Sequence, residues 1–158
     1  MSVNKDRPHV LVLPEDSANR QLANGFHQQL ERIRCLQVLP VAGGWIKVLD
    51  LFVTVHAKEM DRNPLRFMIL LIDFDNQDGR LQDVKAKIPD HLTDRVFILG
   101  TLSEPEDLTT LGSYETIGSA MAQDCRDDTN KIWEHELLIH NSGELDRLRQ
   151  HVRPILFP

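Results

Sequence analysis

The stretch RFMILLIDFDNQDG, from Arg66 to Gly79, decides how the rest of this chain is interpreted. Its unbroken apolar run, Phe67 to Ile72, ends abruptly in Asp73 and Asp75, with a phenylalanine between them. A run of that kind is typical of a strand that is buried on both faces, as strands are in a parallel sheet. Open α/β sheets bind ligands at the carboxyl ends of their strands, so the two carboxylates lie where a ligand is expected.

Three further apolar segments predict strands of the same sheet, and apolar residues at helical spacing separate them. This βαβαβαβ order predicts an α/β fold: a parallel, doubly wound, Rossmann-like sheet of about four strands in the order 2-1-3-4. The other predicted strands are His9 to Pro14, Leu36 to Ala42 and Arg95 to Gly100. The apolar helical positions are Ala18, Leu22, Phe26, Leu30 and Ile33 after the first strand, and Trp45, Leu49, Phe52 and Val55 after the second.

After Gly100 the alternation stops, and the pattern predicts C-terminal helices packed around the sheet. Helical spacing is found over Ile117 to Cys125, over Ile132 to Leu137 and over Leu145 to Val152. The last apolar segment, Arg153 to Phe157, suits either an edge strand or a docking tail.

Length and composition are those of an ordinary globular chain, which we expect to form one domain over residues 1–158, with a core at about 9–100 and a helical extension at 101–158. No apolar run approaches the ~20 residues of a membrane span, and the start of the chain does not resemble a signal peptide. Cys35 and Cys125 are too few and too distant for a disulfide framework or a zinc site, so we expect a cytoplasmic protein that does not bind membranes.

The net charge of −6 argues against a general nucleic-acid coat protein, but not against a metal-dependent nucleic-acid enzyme.

A second acidic segment, Glu15 and Asp16, follows the first predicted strand. If strands 1 and 3 are neighbours, Glu15, Asp73 and Asp75 converge on one spot. Carboxylates that close repel one another, and a divalent cation such as Mg²⁺ is the natural counter-charge because it prefers oxygen ligands. Purely structural roles for these acids remain open as well: Glu15 and Asp16 suit the first turn of a helix, and Asp73 and Asp75 suit a turn.

The order of these motifs resembles that of TOPRIM domains, which occur in topoisomerases, primases and nucleases of the overcoming-lysogenization-defect type. In that family a glutamate follows strand 1 and an Asp-x-Asp motif follows strand 3; here these are Glu15 and Asp73 with Asp75. The segment VLPVAGGWIKVLDLF, Val38 to Phe52, is similar to a strand, a glycine-rich turn and a helix of the nuclease branch. The resemblance implies that Glu15, Asp73 and Asp75 bind Mg²⁺ or Mn²⁺, and that Glu15 also acts as a general acid or base.

The chain departs from the family pattern at two positions. Asp16 stands where a glycine usually follows the first glutamate, and Asn19 stands where the nuclease branch often has another acid. Because Asp16 can supply the missing charge from a shifted position, it is included among the candidate metal ligands.

The leading hypothesis is a Mg²⁺-dependent nuclease, or a nuclease subunit, that hydrolyses DNA phosphodiester bonds with Glu15, Asp73 and Asp75 as catalytic residues. Two alternatives remain: a non-catalytic TOPRIM-like binding module, and a receiver-like phosphoacceptor domain, which also carries acids after strands 1 and 3. The charge of −6 and the one basic cluster, Arg147 to Arg153, predict that the chain alone binds DNA weakly. The expected companion is a separate ATPase, as the resemblance implies, or a second copy of the chain in a homo-oligomer.

Two further motifs suit ordinary structural roles. The segment HELLIH, His135 to His140, has one residue too many for the zinc-binding HExxH pattern, so its two histidines cannot share an ion from one helix face. The Gly43-Gly44 pair suits either a phosphate cradle at a helix start or a tight strand-to-helix turn.

Overall fold

The computed structural model describes residues 2–158, and its centre is a four-stranded, all-parallel sheet. The strands are β1 (His9–Pro14), β2 (Leu36–Val38), β3 (Arg66–Leu71) and β4 (Val96–Leu99). They lie in the order β2-β1-β3-β4. The α/β class, the parallel sheet and the predicted strand order are therefore confirmed.

The register of the sheet brings the carboxyl ends of the two central strands level with each other. Pro14 of β1 pairs with Leu71 of β3, and Leu71 pairs with Leu99 of β4. The ladder continues one residue further, because the backbone N–H of Glu15 donates to the carbonyl of Leu71 at 2.8 Å. The residues that follow β1 and β3 consequently start from adjacent positions.

The second strand is shorter than predicted and ends at Val38 rather than at Ala42. Pro40 lacks an N–H and cannot continue a ladder, which explains the early end. The chain still follows β1, because Leu39 and Ala42 donate to the carbonyls of Val12 and Pro14 at 2.9 and 3.0 Å.

Helices cover the sheet and connect its strands, and before β3 they depart from the predicted pattern in two places. The first helix ends at His27, so the predicted helical positions Leu30 and Ile33 lie beyond it. Between Trp45 and Arg62 the chain is helical throughout, but a π-helical turn at Phe52–His56 changes the spacing of its side chains, and Val55 within this turn is 46% exposed. The helices are α1 (Ser17–His27), α2 (Trp45–Leu51), α3 (Ala57–Arg62), α4 (Arg80–Lys85), α5 (Tyr114–Asp127), α6 (Ser142–His151) and α7 (Arg153–Leu156).

The predicted helix over Ile132 to Leu137 is wrong, since residues 131–138 form consecutive turns. The Asp124 carboxylate explains this, because it accepts hydrogen bonds from the Ile132 N–H and from the Thr129 hydroxyl and so offers the backbone a non-helical alternative.

The chain end is the short helix α7 and not an edge strand. Pro154 at its start suits a first helical turn and disfavours a sheet ladder. Leu156 is buried and the ring of Phe157 packs against that of Phe26 at 6.2 Å, so the segment docks onto the body of the protein.

Alternate residues of each strand face two apolar layers. Val10 and Val12 pack towards α1, α5 and α6, whereas Leu11 and Leu13 pack towards α2, α3 and α4. Trp133 and Cys125 are buried in the first layer, as core residues. Among residues 2–158, no helix combines the length and apolar character that a membrane span requires.

Candidate functional site

The structure brings Glu15 and Asp73 into direct contact at the carboxyl edge of the sheet. The segment after β3 stays paired with the one after β4, through bonds of 3.0 Å from Ile72 N–H to the Leu99 carbonyl and from Phe74 N–H to the Thr101 carbonyl. This pairing directs the Asp73 N–H towards β1, where it donates to Oε2 of Glu15 at 2.5 Å. The Glu15 carboxylate and the Asp73 backbone are therefore direct neighbours at this edge.

Asp16 joins the same cluster from the start of α1. Its carboxylate caps that helix by accepting from the Asn19 N–H at 2.9 Å. The Asn19 side-chain amide then donates to Oδ1 of Asp16 at 3.1 Å and to Oδ1 of Asp73 at 3.0 Å. One neutral amide therefore links two carboxylates where the nuclease branch often has a further acid.

Electrostatics raise the pKa of two carboxyls in this cluster. The pKa of Asp73 is raised to about 7, mainly by burial and also by the nearby charges of Asp16 and Glu15, while the bond from Asn19 opposes the shift. Burial also raises the pKa of Glu15, against the effect of the bond from the Asp73 N–H. Three carboxylates thus share a site that holds too little positive charge.

Asp75 is paired with a cation, and its charge also acts on Glu15. Its Oδ2 accepts from Nη1 of Arg80 at 2.7 Å, and the same nitrogen donates to the Asp73 carbonyl at 2.7 Å. The Arg80 guanidinium also stacks on the Trp45 ring at 4.5 Å. Asp75 adopts a left-handed φ of 48°, so the backbone turns immediately after Phe74 and sends this side chain to Arg80.

The donor set fits a hard cation with few protein ligands. No group of three or more His, Cys, Asp or Glu side chains within residues 2–158 is arranged to hold a metal ion. Mg²⁺ commonly takes only one or two carboxylates and keeps several waters, so Glu15 and Asp73 suffice as a starting pair. The buried Oδ1 of Asn19 has no hydrogen-bond partner within the described residues, and it belongs to the side chain whose Nδ2 donates to Asp73.

Residues of the C-terminal region stabilise the acidic edge. The sequence analysis did not predict these contacts. Asn141 accepts from the Gly100 N–H at 3.1 Å and donates to its carbonyl at 2.9 Å, which fixes the end of β4. The His140 ring packs edge-on against Phe74 at 4.9 Å, between the two aspartates. These contacts join residues that are some forty or more positions apart, so no local sequence motif predicts them.

Arg80 is the other residue that the sequence interpretation missed. A signal was present, because this arginine follows Asp73 by seven residues and Asp75 by five, and it stands at the start of α4. Its fork of donors suits a carboxylate and a carbonyl together.

The Gly43-Gly44 pair forms a turn that holds the backbone of Glu15. Both N–H groups donate to the Glu15 carbonyl, at 2.8 and 3.3 Å, and the two φ angles of 94° and 143° are conformations that glycine adopts without strain. Of the two roles expected for this pair, the tight turn is the one observed.

The predicted C-terminal basic cluster is engaged within the protein. Arg147 pairs with the buried Glu144. Arg149 donates to the Thr129 carbonyl at 2.6 Å, and Arg153 donates to the Cys125 carbonyl at 2.8 Å. These arginines stabilise the chain end and have few donors left for phosphate groups.

Comparisons with family models, with curated proteins and with solved structures gave no match for this chain. Its function is therefore argued from the acidic edge itself, together with the motif resemblance described above.

Proposed function

We propose that the chain is a TOPRIM-like metal-binding protein whose Mg²⁺ or Mn²⁺ site is built on Glu15 and Asp73, and that it acts on DNA phosphodiester bonds as a nuclease or nuclease subunit. The observation that supports this most is the contact between Glu15 and Asp73 at the carboxyl ends of adjacent parallel strands. The neighbouring cation, Arg80, bonds to Asp75 and to a carbonyl. A hard divalent ion supplies the positive charge that the clustered carboxylates lack.

Each acid has a distinct role in this proposal. Asp73 and Glu15 bind the ion, and the bound ion lowers the pKa of a coordinated water and stabilises charge on a phosphate. Glu15, whose pKa burial raises, also suits a role as proton donor or acceptor. Asp16 remains the cap of α1 and adds negative charge, whereas Asp75 joins the ion only after its pair with Arg80 breaks.

DNA binding by the isolated chain is expected to be weak. The net charge is −6, and the C-terminal arginines are bound to internal carbonyls and to Glu144. Affinity for nucleic acids rests largely on cationic contacts with phosphate. A partner that supplies such contacts, either a separate ATPase or a second copy of the chain, is part of the proposal.

A non-catalytic metal-binding module is the second candidate, and specific contacts favour it. The Asn19 amide stands where the resemblance implies a further acid, and Arg80 already pairs with the Asp75 carboxylate. The receiver-like alternative has less support, because within residues 2–158 no fifth strand follows β4 to carry the expected lysine.

Isothermal titration with Mn²⁺ and Mg²⁺ tests the site. We expect the wild-type protein to bind, Asp73→Asn to lose binding, and Asp94→Asn, which removes an exposed acid elsewhere, to keep it. Unchanged affinity in Asp73→Asn would contradict the proposal.

Cleavage of supercoiled plasmid and single-stranded DNA at low salt, with the same variants, then separates the candidate functions. Weak metal-dependent cleavage that Asp73→Asn abolishes supports the nuclease, and metal binding without cleavage supports the non-catalytic module. Labelling of Asp73 or Asp75 by acetyl phosphate would instead support the receiver-like domain.

A further inference from the structure

A second surface of the protein, at the opposite end of the sheet, has the opposite character. It is a groove of about 650 Å³ bordered by Arg7, Arg32 and Arg34, with Ile33 and Ile155 among its apolar lining residues. We refer to it as the arginine groove. Its volume lies within the range of ligand-binding clefts.

The three arginines that define the groove are exposed and free of carboxylate partners. None of them forms an ion pair with any residue of the described chain, 2–158. Arg34 makes one side-chain bond, from Nε to the Ser2 carbonyl at 3.3 Å. Glu31 is the one acidic residue in the lining. In a chain of net charge −6, this concentration of unpaired cations needs an explanation.

The groove is also preformed and partly apolar. One wall of the groove is the short 3₁₀ turn Ile33–Cys35. Two hydrogen bonds hold this turn in place: the Asn4 N–H donates to the Arg34 carbonyl at 3.0 Å, and Nε2 of His27 bonds to the Ile33 carbonyl at 2.7 Å. The Ile33 side chain is nevertheless 44% exposed. A ligand that fits must therefore satisfy guanidinium groups and cover an aliphatic side chain at the same time.

We propose that the arginine groove binds an acidic peptide segment of a partner protein, one that carries aliphatic side chains between its carboxylates. Arginine presents a planar fork of donors that matches a carboxylate, and Ile33 and Ile155 supply the apolar contact that such a segment needs.

Nucleic acid fits this surface less well. The groove lining contains no aromatic side chain on which a base could stack, and three arginines give few contacts to a phosphate backbone. The peptide is therefore the occupant that the charges and the lining favour.

The groove and the acidic site do not compete for space. Arg7 precedes β1 and Glu15 follows it, so the two surfaces lie at opposite ends of a strand that is roughly 20 Å long. Binding at the groove leaves the acidic edge accessible, and the proposal does not depend on whether the acidic edge holds a metal ion.

The test uses ten-residue fluorescent peptides that contain four Glu and two Leu at varied spacing, a matched set with Gln in place of Glu, and a ten-nucleotide single-stranded DNA. Fluorescence anisotropy measures affinity, and amide chemical shifts in NMR spectra map the site. The variant is the triple substitution Arg7→Gln, Arg32→Gln and Arg34→Gln. The control, Lys58→Gln, Lys87→Gln and Lys131→Gln, removes the same charge from exposed positions elsewhere.

We expect at least one acidic peptide to bind, with shifts confined to residues around 4–8, 31–35 and 154–155. The groove variant should weaken binding by about tenfold or more, and the control variant by less than about twofold. Equal weakening in both variants, equal binding of the Gln peptides, stronger binding of DNA, or no peptide affinity better than 1 mM would each overturn the proposal.

Discussion

The two ends of the parallel sheet carry opposite charge, and each end leaves its charge without an opposite partner. At the carboxyl end, Glu15, Asp16 and Asp73 meet around neutral donors. At the amino end, arginines before β1 and β2 border an open groove. Asp73 is buried, and Glu15 and Asp16 are half-buried, whereas the three arginines are exposed.

This contrast shows that unpaired charge has different consequences at different depths. Buried carboxylates must change pKa, bind a cation or destabilise the fold, because burial penalises the charged form. Exposed guanidinium groups remain hydrated and cost little, so they stay available to a partner. Substitutions at the acidic end should therefore change stability, and substitutions at the groove should change binding alone.

The largest effect on stability is expected for a substitution at Gly100, next to the segment that positions Asp73. A Cβ on this residue would lie 1.6 Å from the Ile72 carbonyl oxygen, so Gly100→Ala must separate the segments that position Asp73. We expect a loss of at least about 3 kcal/mol in the free energy of unfolding, measured by urea denaturation. Gly143→Ala is the matched control, because a Cβ there meets nothing within 4 Å. It should leave stability unchanged or raise it slightly, and equal effects in both variants would contradict this geometry.

Asp73→Asn should have the next largest effect on stability, and we expect that effect to depend on pH. The pKa of Asp73 rises from 3.8 to about 7 in the folded state, so folding binds its proton more tightly. Its favourable contribution is therefore full below about pH 4 and is lost as the pH rises through about 7. In EDTA, the variant should gain on the order of 1–3 kcal/mol relative to wild type at pH 8, and little or nothing at pH 4. Thermal melts across this pH range measure it, and a difference independent of pH would refute the burial argument.

Asp75→Asn should have a smaller effect on stability, since the Asp75 side chain is 49% exposed and exposed ion pairs contribute little. We expect a loss of no more than about 1 kcal/mol in urea denaturation. The Mn²⁺ affinity of the same variant, measured by titration, tests whether Asp75 binds the ion as Asp73 is proposed to do. Reduced affinity would make Asp75 a ligand that leaves Arg80, and unchanged affinity would restrict the site to the acids around Asp73.

The smallest effect on stability is expected for the triple groove variant at Arg7, Arg32 and Arg34. These side chains form no ion pairs among residues 2–158, so the free energy of unfolding should stay within about 0.5 kcal/mol of wild type. Urea denaturation at low and moderate salt measures it. A loss above about 1 kcal/mol would show that the groove arginines stabilise the fold, and the contrast between the two ends would then fail.

Much of the sheet was predictable because each strand is a continuous apolar run. Phe67 to Ile72 marks a strand buried on both faces, and the alternation with helical segments restricts the topology to a few arrangements. The meeting of Glu15 with Asp73 followed from that order. The errors arose where one residue changed the local geometry, as Pro40 did for β2 and Asp124 did for the predicted helix at Ile132.

Fold class, strand order and the edge at which the acids stand are encoded in the amino-acid pattern alone. These features follow from apolar residues that recur every two to four positions. The pattern extends along a whole strand or helix, because the same face must be buried throughout its length.

The pairing of charges, by contrast, is set by the three-dimensional packing. Asp75 was grouped with Asp73 by sequence but turns to Arg80. The arginines from 147 to 153 were the apparent basic surface, yet they bond to the chain, while Arg7 and Arg34 meet in a groove from separate segments. The physical reason is that a charge pair depends on distances of a few ångströms between groups far apart in the chain, and no local periodicity encodes those distances.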